Sequence, residues 1–125
     1  MFVTSGYYKG VRDNIKTECQ VSCKVQRWSY DHNQIKICTD RYIKELLDKK
    51  MNIDSLSIVS AKYIGWNVKH PDYDMMSNIL YNEYCENLQG NIILTYMSAI
   101  YKEKIYNHYN DNYVGAVLNP HRYAT

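Results

Sequence analysis

One phenylalanine, Phe2, stands against 14 tyrosines in a chain of 125 residues. That scarcity argues against a core that takes aromatic bulk for volume alone, because a buried phenol needs a hydrogen-bond partner and a phenyl ring needs none. Glycine is also scarce, with five residues scattered from Gly6 to Gly115. There is no P-loop and no G-x-G-x-x-G, so no glycine-rich phosphate cradle is expected. There is no G-x-S-x-G and no E-x-x-H, and no local signature marks a nucleophilic cysteine. No catalytic residue and no cofactor are therefore predicted.

Long apolar runs are missing too. The best, residues 91–100 ("NIILTYMSAI"), is interrupted by Asn, Thr, Tyr and Ser, so no membrane partner is expected. The N-terminus has no apolar core of a secretion signal. Cys19, Cys23, Cys38 and Cys85 are accordingly expected as free thiols in an intracellular, reducing setting. That setting is the cytoplasm, or the host cytoplasm or virion if the protein is viral.

Hydrophobic residues make up 46% of the chain, enough for a sizeable core, and the length suits one domain spanning residues 1–125. The net charge is only +2. Residues 1–50 hold 10 Lys and Arg against 6 Asp and Glu, whereas residues 51–125 hold 5 against 7. The first half therefore suits an anionic partner, without the dense basic stripe of a dedicated nucleic-acid binder. Phe, Tyr, Met, Ile, Asn and Lys total 55 residues, and Gly, Ala, Arg and Pro total 15. The first set has AT-rich codons, which points to the genome of a low-GC bacterium, its phage or a large DNA virus. Codon bias explains abundant tyrosine. It does not explain scarce phenylalanine, whose codons are equally AT-rich.

Along the chain, residues 1–13 read as irregular and residues 110–125 as a tail, with a short edge strand in "YVGAVL". Residues 16–30 alternate, Val21, Cys23 and Val25 on one side and Lys24, Gln26 and Trp28 on the other, which predicts a strand. "QIKIC" alternates again after the turn formers of "YDHN", completing a hairpin with Ile35 and Ile37 inward. "TDRYIKELLDKKM" predicts a helix capped by Thr39 or Asp40, with a stripe of Ile43, Leu46, Leu47 and Met51. Residues 55–68 predict a long strand with a break near Ser60 to Lys62. Residues 70–90 predict a second helix, started by Asp72 or Asp74 and ended by a left-handed Gly90. Residues 91–109 predict a third, with Tyr96 and Tyr101 flanking its apolar line. The expected fold is α+β: a small, mainly antiparallel sheet, built from the N-terminal hairpin plus one long strand and covered by about three helices in the order β-β-α-β-α-α.

Cys19, Cys23, His32 and Cys38 have the look of a zinc set. On a strand, however, Cys19 and Cys23 lie about 13 Å apart, too far for one ion, so no metal is predicted. His70, Asp72 and Asp74 read as a helix start, and Glu83 with Glu86 as a solvated face. Two partner surfaces remain. The Tyr-rich C-terminal stretch, with Tyr101, Tyr106, His108, Tyr109 and Tyr113, sets tyrosine among Asn, Asp and His, the amphipathic composition of protein-recognition surfaces. The polar face of the hairpin, with Lys24, Arg27, Trp28, Tyr30 and Lys36, combines cations and stacking platforms for single-stranded nucleic acid. The leading expectation is a small non-enzymatic interaction protein that binds a larger protein or joins a homo-oligomer or virion. Nucleic-acid binding is the alternative, and a small hydrolase or nuclease using His70, Asp72 or His108 is the second.

Overall fold

A computed structural model of the chain describes residues 2–4, 14–25, 32–87 and 89–107. They form β1 (Phe2–Thr4), α1 (Ile15–Val25), α2 (His32–Asp48), a single 3₁₀ turn (Ile53–Ser55), β2 (Ile64–Trp66), α3 (Tyr73–Asn87), α4 (Gly90–Ile100) and β3 (Ile105–Asn107). The described residues are mostly helical, and the expected sheet covered by helices is not formed. Among the described residues strand structure is confined to three three-residue segments in the order β2-β1-β3. β1 runs antiparallel to β2, with Val3 opposite Gly65, and parallel to β3, with Val3 opposite Tyr106.

The predicted hairpin is two helices. In α1 the buried residues are Ile15, Glu18, Cys19 and Ser22, the i, i+3, i+4, i+7 stripe of a helix. Two of the four are polar, so a hydrophobicity pattern passes over them and sees only the accidental alternation of Val21 and Cys23. Asn14 holds the start of α1. Its Oδ1 accepts from the Lys16 amide at 2.8 Å, while its Nδ2 donates to the Ile53 carbonyl at 3.3 Å and to Asp54 at 3.2 Å. The second half of the supposed hairpin belongs to α2, which begins at His32, upstream of the predicted caps Thr39 and Asp40. Ile35, Cys38, Thr39, Tyr42 and Leu46 form its buried stripe, whereas Ile37, expected inward, is 60% exposed. Leu47, placed in the predicted stripe, is exposed as well. Thr39 is tolerated mid-helix because its hydroxyl donates to the Ile35 carbonyl at 2.7 Å.

The long strand is also corrected, since only Ile64–Trp66 is strand and β1 lies inside the segment read as irregular. Ile58, Val59 and Ser60 are buried in succession, which no one-faced strand would allow. The "YVGAVL" strand lies outside the described residues.

α3 matches its predicted helix. Asp72 stands just before it, its carbonyl accepting from the Met76 amide at 2.9 Å, while its carboxylate pairs with Lys104 instead of capping. Met76 and Leu80 are buried, as the stripe required. Gly90 does not end this helix but opens α4, and close approach explains it: a Cβ there would meet the Tyr84 hydroxyl and lie 2.9 Å from the Ala61 Cβ. Gly90→Ala is expected to destabilise the fold by about 1–3 kcal/mol through overpacking. Tyr84→Phe in the same chain should restore part of the loss in a chemical-denaturation measurement. Equal stability of Gly90→Ala and the parent would contradict this account.

α4 is the shared helix. Ile92 joins Ile15, Cys19, Ile35, Cys38, Tyr42 and Ile58, whereas Ile93, Leu94 and Met97 join Val59, Met76, Leu80 and Ile105. Full burial of each such side chain contributes about 1.5–3 kcal/mol. The core also answers part of the tyrosine question. Tyr42, fully buried, donates its hydroxyl to Glu83, and Tyr96 donates to Glu45. The two rings meet edge to face, with centroids 4.2 Å apart. Arg41 Nη2 reaches the two Glu83 oxygens at 2.9 and 2.7 Å. Glu83 is therefore a partnered carboxylate and not the solvated one expected, while Glu86 remains exposed beside Arg41 at 3.7 Å. Burial pushes the Tyr42 and Tyr96 hydroxyls well above the ordinary phenol range, so both stay donors at neutral pH.

Candidate functional site

The third predicted helix stops early. At its C-terminus the Tyr101 amide bonds the Met97 carbonyl at 2.8 Å, and the Lys104 amide bonds the Tyr101 carbonyl at 2.8 Å. This turn sends the chain back as β3. The hydrogen bond from Lys104 holds the Asp72 carboxyl below its usual range and ties the turn to the start of α3. In β3 Ile105 is buried and Tyr106 is 54% exposed, the alternation of a strand with one covered face. β3 ends the sheet on one side, and among the described residues no strand pairs with its outer edge.

A cleft of about 620 Å³ runs beside β3, lined by all three of its residues, by residues of the 55–59 segment and by α4. Val59, Thr95 and Ile105 make a buried floor, and Tyr106 and Lys102 stand exposed at the rim. Thr95 fixes the far wall: its hydroxyl donates to the Asn91 carbonyl at 2.7 Å and accepts from the Val59 amide at 2.8 Å. One turn earlier, Asn91 Oδ1 accepts from the Ala61 amide at 2.9 Å. Ser98 Oγ and Asn107 Oδ1 meet at 3.4 Å across the near wall. The described lining offers hydroxyls, an amide, an ammonium and a phenol. Among the described residues it includes no carboxylate, imidazole or thiol.

No protein-family model, curated protein or solved structure matches this chain.

Of the predicted protein-binding residues, Tyr106 lies at this cleft. Tyr101 is half-buried against the core cluster behind it. His108, Tyr109 and Tyr113 lie outside the described residues. The polar hairpin face proposed for nucleic acid does not exist in that form. Lys24 is exposed in the last turn of α1, and Lys36 is exposed on α2 with Asp40 at 2.7 Å, while Arg27, Trp28 and Tyr30 lie outside the described residues. His70 Nδ1 accepts from the Asp72 amide at 3.0 Å, so these two residues are engaged in shaping the entry to α3.

Sequence reasoning missed Thr95, Ser98, Ala99 and Lys102. The signal was present: they stand at i, i+3, i+4 and i+7, a small and polar stripe that runs from α4 into the turn after it.

The cysteines need a separate correction. On α1, Cys19 and Cys23 share one face, with their sulfurs 3.9 Å apart instead of about 13 Å. Cys23 Sγ donates to the His32 carbonyl at 3.4 Å. Burial first, then the neighbouring Cys19, pushes the Cys23 thiol up to about 11. Cys85 is exposed on α3, and all four thiols are free. Among the described residues no three His, Cys, Asp or Glu side chains gather to hold a metal ion. No described helix is long and apolar enough to cross a membrane.

Proposed function

We propose that this chain is a small binding protein that docks on a larger protein through the face around β3, with Tyr106 as its centre. The observation that carries the reading is an exposed tyrosine on a sheet-edge strand directly beside an open cleft. Among the described residues no strand covers the outer edge of β3, and an extended partner segment can add itself to such an edge. The cleft adds a floor with Val59 and Ile105 for alternate side chains, and serine hydroxyls for the partner's polar groups. Tyrosine gives such a surface a large contact area at the cost of only two side-chain torsions. The expected partner is an extended segment of another protein; pairing with a second copy of this chain is the competing outcome.

Filling the cleft tests the reading. Ser98→Trp places an indole between α4 and β3, where the half-buried serine now faces Asn107. The expected result is loss of partner co-purification from a lysate of the source cell, with the melting temperature within a few degrees of the parent. Unchanged co-purification by a folded variant would contradict the cleft's role. Concentration-dependent size exclusion that Ser98→Trp abolishes would assign the surface to self-association instead.

A further inference from the structure

α1 and α2 enclose a second groove, of about 370 Å³, on a different part of the molecule from the β3 cleft. Cys19 and Cys23 both line it, with Lys16, Lys36 and Asp40 around them. The two sulfurs are 3.9 Å apart. Metal–thiolate bonds of about 2.3 Å span at most about 4.6 Å end to end, so one ion can bond both sulfurs after a small rotamer adjustment. Cys19 is 7% exposed and Cys23 half-buried, so the pair is reached from the groove and otherwise sheltered.

We propose that Cys19 and Cys23 form a two-coordinate site for a soft monovalent cation, copper(I). The donor count decides among metals. Structural zinc takes four ligands, and among the described residues no third His, Cys, Asp or Glu completes a set with this pair. Thiolates suit copper(I), zinc and iron–sulfur clusters, and of these copper(I) accepts as few as two donors. Binding exchanges two S–H bonds for two S–Cu bonds and releases two protons to solvent, with no change in oxidation state. The product carries one negative charge, and the groove presents Lys16 and Lys36 against the single carboxylate of Asp40.

The test is anaerobic titration of the reduced full chain with copper(I) held by the chromophoric chelator bicinchoninate. One ion per chain is expected, with two sulfur neighbours by X-ray absorption. Cys19→Ser and Cys23→Ser should each weaken binding by about 100-fold or more, while Cys85→Ser should leave it unchanged. Cys23 is the decisive position if Cys19→Ser fails to fold, because Cys23 is only half-buried. Unaltered affinity in Cys23→Ser, dependence on Cys85, or a third sulfur donor contributed by Cys38 would overturn the assignment. So would tighter binding of zinc than of copper(I).

Discussion

Tyr42→Ala is expected to remove about 3–5 kcal/mol of stability, the range for deleting a buried aromatic ring. A domain of this size holds about 5–15 kcal/mol in all, so the variant should lose a large share of its stability. The ring is fully buried between α1, α2 and α4 and packs edge to face on Tyr96. Its hydroxyl also donates to Glu83 and accepts from Asn87 Nδ2 at 3.4 Å. Tyr42→Phe keeps the volume and isolates that second contribution. It should cost about 1–3 kcal/mol, because half-buried Glu83 loses a donor and the buried Asn87 amide an acceptor. Arg41 still reaches Glu83, so the lower part of that range is expected. Urea denaturation of the two variants reads both numbers. A Tyr42→Phe variant as stable as the parent would show that the hydroxyl contributes nothing, and the shortage of phenylalanine would lose its structural explanation.

That explanation divides the tyrosines. Inside, the hydroxyls of Tyr42 and Tyr96 reach carboxylates on neighbouring helices, so tyrosine does there what phenylalanine cannot. Outside, Tyr81 and Tyr106 are 69% and 54% exposed. Composition alone could not separate the two groups, because a carboxylate 41 or 51 residues away in the chain leaves no mark on the residues beside a tyrosine.

The legible parts of the fold keep apolar residues at most of their buried positions. α3 was readable from Met76 and Leu80 after Pro71 and Asp72, and the second half of α2 from Leu46. α1 was not, because Glu18 and Ser22 occupy half its buried stripe. β1 is three residues long and exists through pairing with residues 64–66 and 105–107, which no local pattern encodes. The end of α4 at Ile100 carries neither glycine nor proline, so the turn into β3 had no signal either. The cleft was half legible. Tyr106 was singled out by its polar neighbours, but the opposite wall depends on Thr95 bonding the Val59 amide from 36 residues away.

Tyr106→Ala is expected to abolish most partner binding while leaving the fold intact. A tyrosine at the centre of an interface costs about 2 kcal/mol or more on truncation, equivalent to roughly 30-fold in affinity. An exposed substitution moves stability by only about 0.5 kcal/mol. Tyr81→Ala, at a still more exposed tyrosine on α3 that does not line the cleft, is the control and should change neither quantity. The decisive measurement is therefore the melting temperature and partner affinity of Tyr106→Ala beside those of Tyr81→Ala. The account predicts parental melting for both and loss of affinity for Tyr106→Ala alone. A collapse in melting with affinity untouched would place Tyr106 among the residues that hold the fold, and would contradict a recognition surface at β3.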